Sequence, residues 1–196
     1  MSSSFVTIIA CGGGAERFDG TKARRVLAGR SLIDRAIGIA EGFGAPMALA
    51  IGEVDEFEEH DIPKLRDGHA GIGPISALVS GFEFAASQDF AFVLMMGCDQ
   101  PFLPPDLAER LLNGIGTSGV AVPVVSDFGQ YTAALWRADL DAAERYVAGG
   151  GRSLWRFADA VGRSDIYWDE LAQDNGLFVD INDADAFARA EARLRQ

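Results

Sequence analysis

Three glycines and two cations follow the first apolar run of the chain. Residues 12–14 are all glycine and come directly after the β-branched-rich run 5–11, and Arg17 and Lys22 follow them. Glycines let backbone N–H groups surround a phosphate, and the two cations can neutralise its oxygens. A tight turn with solvated charges has the same composition. The segment therefore indicates either a phosphate-binding loop or an ordinary turn.

Two common nucleotide-binding motifs do not fit this loop. A P-loop requires Gly-Lys-Ser/Thr at its end, whereas Gly20 is followed here by Thr21 and then Lys22. The dinucleotide fingerprint requires a third glycine where Arg17 stands. A nucleotide bound at this loop would need another geometry.

A single carboxylate, Asp99, stands just past the apolar run 90–96, and Pro101 follows it. A carboxylate at the carboxyl end of a strand can hold a hard cation that bridges phosphates. The same Asp could instead cap the turn after the strand. Residues 180–183, Asp-Ile-Asn-Asp, could bring more oxygen ligands to that edge, or Asn182 or Asp183 could simply cap the last helix.

Strand-like and helix-like patterns alternate along the chain. The apolar runs 5–11 and 90–96 predict strands buried on both faces. Ser31 and Asp34 form a capping box, and helical spacing of apolar residues continues to Gly42. Further strands are expected over 46–52, 120–125, 131–136, 165–168 and 178–181, and further helices over 75–86, 104–112, from about 139, from 153, and over 184–194. This alternation predicts an α/β fold with a largely parallel sheet covered on both faces, whose ligands bind at the carboxyl ends of the strands.

The composition narrows the range of partners. The chain has 29 acidic and 17 basic side chains and a net charge of −12, which opposes binding to nucleic acid or to an anionic membrane surface. The stretch 17–30 nevertheless carries five cations against one acid, which suits a small phosphorylated ligand. No shift in composition marks a boundary within the 196 residues, so we expect a single domain over 1–196.

Cysteine usage and hydropathy bear on location. Cys11 and Cys98 are too few and too far apart for a metal-ligand pattern, and both stand in apolar runs. We expect reduced, buried thiols in a cytosolic protein. The first residues lack the cations and the long apolar region of a signal peptide, and no run approaches the ~20 apolar residues of a membrane span. A cytoplasmic location is therefore expected.

Taken together, these segments resemble the MobA-like nucleotidyltransferase family, above all the molybdenum cofactor guanylyltransferases. The family's opening pattern, Leu-x-Gly-Gly, three variable residues and Arg-Met-Gly-x-Asp-Lys, aligns with residues 10–22 without a gap. Its Cys-Asp-x-Pro-Phe is matched in full by residues 98–102, and its closing Asn-Ile-Asn is similar to residues 180–182. Residues 73–77 and 150–154 resemble its Gly-Pro-Leu-Ala-Gly and Gly-x-Arg-Ser-Leu segments, and Asp67 matches the Asp that precedes the first of these.

The resemblance implies a three-layer α/β/α Rossmann-like nucleotidyltransferase fold with a mostly parallel mixed sheet. It also implies Mg²⁺-dependent transfer of GMP from GTP to molybdopterin, by in-line attack of the acceptor's terminal phosphate on the α-phosphate with release of pyrophosphate. The implied catalytic residues are Lys22, Arg17 and Asp99. The implied nucleotide-binding residues are Ala10, Cys11, Gly12, Gly13, Gly14, Lys22, Asp67 and Asp99. The implied metal ligands are Asp99 and Asn182, and the implied acceptor-side residues are Gln130, Arg152 and Ser153. The implied partners are GTP or another nucleoside triphosphate, a molybdopterin-type phosphorylated acceptor, and molybdoenzyme maturation proteins.

The chain departs from the family's pattern at several positions. Thr21 replaces the acidic residue that usually precedes the lysine, and Glu16 adds a negative charge to a loop meant for phosphates. Asp180 stands for the first asparagine of the closing motif. The altered loop leaves a second hypothesis open, a nucleotide-binding protein without turnover.

The choice of base is also open. Related cytidylyltransferases usually have Ala-Gly where residues 12–13 are Gly-Gly, which favours guanine, whereas Gly97 and Gln100 lean towards cytosine. A cytidylyltransferase or another small-molecule nucleotidyltransferase of the same fold is therefore the alternative. A sugar-1-phosphate nucleotidyltransferase is disfavoured, because the short chain leaves little room for a sugar pocket.

Overall fold

A central sheet of eight strands organises the part of the chain that the computed structural model describes, residues 4–11, 22–52, 57–66, 72–168 and 176–195. In chain order the strands are β1 Phe5–Ala10, β2 Val26–Leu27, β3 Arg30–Ser31, β4 Met47–Ile51, β5 Lys64–Arg66, β6 Phe92–Gly97, β7 Val120–Val125, β8 Phe128–Gly129, β9 Leu135–Arg137 and β10 Arg163–Tyr167. The order across the sheet is β10-β7-β9-β6-β1-β4-β5, with β8 paired to β7, while β2 and β3 form a separate hairpin.

Pairing within the sheet is parallel except at β8 and β9. Strand β1 pairs in parallel with β4 and β6, β4 with β5, and β7 with β10. Strand β9 runs antiparallel between β6 and β7, and β8 returns antiparallel on β7. The predicted mostly parallel mixed sheet is confirmed. The carboxyl ends of β1, β4, β6 and β7 consequently face one side, the carboxyl edge.

Helices cover both faces of this sheet. In the described ranges they are α1 Leu32–Gly42, α2 Pro74–Ser87, α3 Leu107–Gly114, α4 Leu140–Ala148, α5 Leu154–Val161 and α6 Ala184–Leu194, with 3₁₀ turns at Lys22–Arg24 and Tyr131–Ala133. Helices α1 and α3 share one apolar core with the sheet, and α2, α4 and α5 share another on the opposite face. The expected three-layer arrangement is therefore present. None of the helices in these ranges combines the length and apolar character needed to cross a membrane.

Strand β1 explains why the core is divided in two. Phe5 and Ile9 point into the core of α1 and α3, whereas Val6 and Ile8 point into the core of α2, and all four are buried. Helix α2 can lie close to the strand because Gly81 has no side chain. A Cβ at this position would stand 2.9 Å from Ile8 Cγ1. This packing holds the carboxyl end of β1 in place.

One of the expected strands is wrong, and another begins later than expected. Residues 178–181 form no strand, because Phe178 has a φ of 61° and the N–H of Ile181 donates to the carbonyl of Asp99 at 3.0 Å. Residues 131–136 begin with a 3₁₀ turn, in which the N–H of Ala133 donates to the Gln130 carbonyl at 3.0 Å. Only the last part of that segment joins β9.

The helix expected over 104–112 begins later, at Leu107. Pro104 and Pro105 lie instead in a turn, which the N–H of Leu107 closes by donating to the Pro104 carbonyl at 3.1 Å. A residue before a proline is disfavoured in the helical region, so Pro104 cannot open the helix. The start of α1 does follow prediction, because the N–H of Asp34 donates to Ser31 Oγ at 3.1 Å.

Candidate active site

Lys22 joins two segments that are distant in sequence. Its Nζ lies 2.5 Å from Asp99 Oδ2 and 2.6 Å from Asn182 Oδ1. The side chains of Lys22 and Asp99 are 15% and 23% exposed, so the ion pair is shielded yet open to a ligand from solvent. The predicted phosphate-binding cation and the two predicted metal ligands therefore meet at the carboxyl edge.

The 3₁₀ turn at Lys22–Arg24 places the lysine. Ala23, its central residue, is fully buried in the core of α1 and α3, and the N–H of Arg25 donates to the Lys22 carbonyl at 3.2 Å. Because Ala23 is held inward, the Lys22 side chain starts from a fixed point beside the sheet edge.

A tight turn after β6 places Asp99. The N–H of Gln100 donates to the Gly97 carbonyl at 3.3 Å, and the Gly97 N–H donates to Gln100 Oε1 at 2.9 Å. The Asp99 side chain folds back over Gly97, since a Cβ on that glycine would stand 2.4 Å from Asp99 Oδ1. A glycine is thus required at position 97 for this carboxylate to reach Lys22.

Ile181 anchors the C-terminal oxygen ligands. It is fully buried with Leu27, Leu32 and Ala190, and its backbone pairs with Asp99 as described above. Asp180 and Asn182 flank it and face solvent. Asp183 rather than Asn182 caps α6, accepting the N–H of Ala186 at 2.7 Å, and this leaves Asn182 to bind Lys22.

Asp180 is a second carboxylate at the site and is absent from the predicted ligand pair. Desolvation raises the pKa of Asp180 and the charge of Asp99 raises it further, whereas Gln100 and Lys22 lower it. The hydrogen bond from the N–H of Ile181 to the Asp99 carbonyl brings the two residues side by side. The sequence already placed Asp180 in the segment 180–183, which was expected to bring oxygen ligands to this edge.

Ala10 and Cys11 end β1 at the same edge. The Ala10 carbonyl accepts the N–H of Cys98 at 3.2 Å, and the N–H of Cys11 donates to the Ala50 carbonyl at 2.9 Å. Both cysteines are free and buried, as predicted for reduced thiols. A hydrogen bond with Cys98, together with burial, raises the pKa of the Cys11 thiol well above its usual range. These thiols therefore support the strand ends as apolar groups.

Five of the predicted site residues belong to segments that the structure does not describe. Gly12, Gly13, Gly14, Arg17 and Asp67 lie outside the described residues. Their roles stay predictions.

Gln130, which is predicted to lie on the acceptor side, is at the carboxyl edge. Its N–H donates to the Pro123 carbonyl at 2.8 Å, and it precedes the 3₁₀ turn at Tyr131–Ala133. Strand β9 then starts antiparallel to β6, so its first residue and the turn before it stand near the carboxyl end of β6.

Arg152 and Ser153 precede α5. The far end of this helix meets the start of β7, where the N–H of Gly119 donates to the Val161 carbonyl at 3.2 Å. Helix α5 therefore runs away from the carboxyl edge, and Ser153 stands at its near end. Tyr146 holds the segment, because its hydroxyl donates to the Ser153 carbonyl at 2.9 Å. Within the described residues, no hydrogen bond or ion pair joins Arg152 or Ser153 to Lys22 or Asp99.

The oxygen ligands fit a hard divalent cation. A carboxylate oxygen of Asp99 and an amide oxygen of Asn182 already converge on one positive group, the Lys22 ammonium, and the Asp180 carboxylate is nearby. Carboxylate and amide oxygens are the ligands that Mg²⁺ and Ca²⁺ take in proteins.

A lysine and oxygen groups meet at the carboxyl edge of a Rossmann-like sheet, which is where such sheets bind their ligands. Residues 7–163 match the MobA-like NTP transferase domain, and the chain belongs to that family. Nucleotidyltransferases of this family typically use a divalent metal.

Two curated relatives are similar over nearly their whole length. The molybdenum cofactor guanylyltransferase of Acidiphilium cryptum is 34% identical over 94% of this chain and 93% of its own. The molybdenum cofactor guanylyltransferase of Rhodobacter capsulatus is 32% identical, with 96% of each chain covered.

Solved structures share the fold. Molybdopterin-guanine dinucleotide biosynthesis protein A from Archaeoglobus fulgidus superposes with a TM-score of 0.77 at 20% identity, covering 97% of this chain and 98% of its own. The 2-C-methyl-D-erythritol 4-phosphate cytidylyltransferase from Thermus thermophilus has a TM-score of 0.72 at 18% identity, covering 96% and 98%. The same fold thus serves transferases of different bases.

Proposed function

We propose that the protein transfers GMP from GTP to a molybdopterin-type phosphorylated acceptor in the cytoplasm and releases pyrophosphate. The observation that carries this proposal is the convergence of Lys22 with Asp99 and Asn182 at the carboxyl edge. Full-length similarity to two molybdenum cofactor guanylyltransferases supports the choice of guanine and of the acceptor.

In this reaction a terminal phosphate oxygen of the acceptor attacks the α-phosphorus of GTP. A new P–O bond forms as the bond to the bridging oxygen breaks, and pyrophosphate leaves with the electron pair. Lys22 binds the triphosphate and neutralises charge that develops on it, while residues 12–14 and Arg17 surround the phosphates. Such electrostatic stabilisation and positioning dominate phosphoryl-type transfer, so little proton transfer is needed.

Asp99 and Asn182 hold Mg²⁺ in this proposal. A bound Mg²⁺ would supply positive charge that offsets the charge of the triphosphate. The Lys22 ammonium then exchanges its two oxygen partners for the triphosphate. Asp67 contacts the nucleoside, and Gln130, Arg152 and Ser153 contact the acceptor.

Isothermal titration of GTP, CTP, ATP and UTP, with and without Mg²⁺, tests the nucleotide half of the proposal. We expect selective binding of GTP that requires Mg²⁺ and is lost in Asp99→Ala. Asp141→Ala is the matched control, because Asp141 is an exposed carboxylate in the first turn of α4, which starts beyond β9 at the opposite edge. Preferential binding of CTP would show that the protein selects cytosine instead of guanine. No binding of any triphosphate would refute the proposal.

Pyrophosphate release with GTP and molybdopterin tests the acceptor half. Turnover that needs both substrates supports guanylyl transfer. Tight binding of GTP without turnover across phosphorylated acceptors would point instead to a nucleotide-binding protein.

A further inference from the structure

Gln100 is a buried amide in the turn that carries Asp99. Gln100 is only 1% exposed, and its side chain is one of few polar side chains that are buried in the described part of the chain. A buried amide is stable only when its donors and acceptor have partners. The partners of Gln100 therefore indicate which segments the fold requires it to join.

The amide connects two segments that are distant in sequence. Its Oε1 accepts the N–H of Gly97 at 2.9 Å, which fixes the turn that carries Asp99. Its Nε2 donates to Thr132 Oγ1 at 3.0 Å, which holds the 3₁₀ turn at Tyr131–Ala133. Asp180 lies beside the turn of Asp99, because the N–H of the next residue, Ile181, donates to the Asp99 carbonyl at 3.0 Å.

These segments belong to opposite halves of the proposed site. Asp99 and Asp180 lie with Lys22 on the metal and triphosphate side. The turn that contains Thr132 directly follows Gln130, on the proposed acceptor side, and α5 packs against it. The Gln100 amide is thus a direct link between the groups that hold the two reacting phosphates.

We propose that Gln100 is a positioning residue, which aligns the acceptor-side turn with the carboxylates at the carboxyl edge so that the two phosphates meet in line. The inference rests on the proposed function. Gln100 touches no reacting atom in this role. A misplacement of about 1 Å between reacting groups can cost ~10²-fold in rate, so loss of the link should lower kcat without removing the nucleotide site.

Gln100→Met and Gln100→Glu change the two hydrogen bonds of the amide in different ways. Methionine keeps the approximate volume and removes both hydrogen-bonding ends, whereas glutamate keeps an oxygen for Gly97 and loses the donor to Thr132. We expect each variant to lower kcat by about 10- to 100-fold. The dissociation constant of GTP with Mg²⁺ should stay within about threefold for Thr132→Val, because this variant leaves the hydrogen bond from Gly97 to Gln100, and hence the turn of Asp99, in place.

Thr132 provides a matched pair of variants on the other side of the link. Thr132→Val removes the hydroxyl that Gln100 binds, and Thr132→Ser keeps it. We expect Thr132→Val to raise the KM for molybdopterin and lower kcat, with the KM for GTP unchanged, and Thr132→Ser to behave as the wild type. In the double variant Gln100→Met, Thr132→Val, kcat should fall no further than in Gln100→Met alone, since both changes break one hydrogen bond.

The wild-type protein is assayed first, by release of pyrophosphate from GTP with molybdopterin. Absence of turnover in the wild type would overturn the proposed function and this inference with it. An active wild type together with a folded Gln100→Met variant of unchanged kcat would overturn only the role of Gln100. If the Gln100 variants fail to fold, equal kinetics of Thr132→Val and Thr132→Ser would overturn it as well.

Discussion

At the scale of single residues, the choice of lysine at position 22 is informative. The chain contains only two lysines, Lys22 and Lys64, among its 17 basic side chains. A compact ammonium fits between Asp99 Oδ2 and Asn182 Oδ1, where a planar guanidinium with its fixed fork would not make the same two short contacts. This position therefore requires a small, mobile point charge.

Removing that charge should reduce turnover strongly. We expect Lys22→Ala to lower the rate of GMP transfer on the order of 10²-fold or more, as losses of single charge-stabilising groups do in other enzymes. Lys22→Arg should not restore it, because of the shape of the guanidinium. Pyrophosphate release under saturating GTP is the measurement, and Lys64→Ala is the control of equal charge. A Lys22→Ala variant with near-normal turnover would contradict the role given to Lys22.

Gly97 offers a second test at this scale. A methyl group there would stand 2.4 Å from Asp99 Oδ1, so we expect Gly97→Ala to displace the carboxylate and lower both Mg²⁺-dependent GTP binding and turnover by about 10-fold or more. Gly42→Ala, in the last turn of α1, meets no atom within 4 Å and should leave activity unchanged. Equal activity of the two variants would show that the Asp99 side chain tolerates the methyl group.

At the scale of elements, the segment before α6, residues 178–183, holds two oxygen ligands at the site; we call this segment the bracket. Ile181 is packed with Leu27 of the β2–β3 hairpin and Leu32 of α1, which places Asp180 and Asn182 beside Asp99. Two cation–π contacts hold α6 over the same region. Arg193 lies 3.9 Å from the Phe102 ring and Arg25 lies 4.3 Å from the Phe187 ring.

Loosening this bracket should affect stability and metal-dependent binding together. We expect Ile181→Ala to lower the free energy of unfolding by about 2 to 4 kcal/mol, as truncations of buried isoleucine do, and to weaken GTP binding in the presence of Mg²⁺. Urea denaturation and isothermal titration are the measurements. Val179→Ala is the control, because Val179 is 37% exposed in the same segment and should cost little. Unchanged GTP affinity in a destabilised Ile181→Ala variant would show that the packing of Ile181 does not position the groups that bind GTP.

Much of the arrangement of strands and helices could be predicted from the sequence. The apolar runs that became β1 and β6, the cap at Ser31 and the range of α6 follow local rules of spacing and capping. The approach of Asp99 to the C-terminal ligands also followed from placing each after a strand, although residues 178–181 are not one. The left-handed backbone at Phe178 and the bond from Gln100 to Thr132, 32 positions away, depend on tertiary contacts that no local pattern contains.

At the scale of the whole molecule, the net charge of −12 and the cationic site are compatible because the positive charge is local. Asp99 is paired with Lys22. The additional negative charge of a triphosphate would be met by Lys22, a divalent cation and the predicted Arg17. Binding of nucleotide should therefore depend on the metal more strongly than is usual for a basic protein.

This dependence should appear in thermal unfolding. We expect GTP with Mg²⁺ at about 100 times its dissociation constant to stabilise the fold by about 2.7 kcal/mol, because only the folded state binds, and so to raise Tm. GTP with a chelator should give little increase. Differential scanning fluorimetry measures both, and Asp99→Ala should lose the increase while Asp141→Ala keeps it. An equal rise in Tm with chelator would argue against a metal bridge.

The contact between Lys22 and Asn182 spans 160 positions of sequence. During synthesis at about 5 to 20 residues per second, the two residues leave the ribosome roughly 8 to 30 s apart. A nascent chain therefore carries its lysine and its β1 strand long before the partners of that lysine exist. A stalled or truncated product that ends before residue 176 would lack Asp180 and Asn182, so the cell would not accumulate fragments able to sequester nucleotide in a finished site.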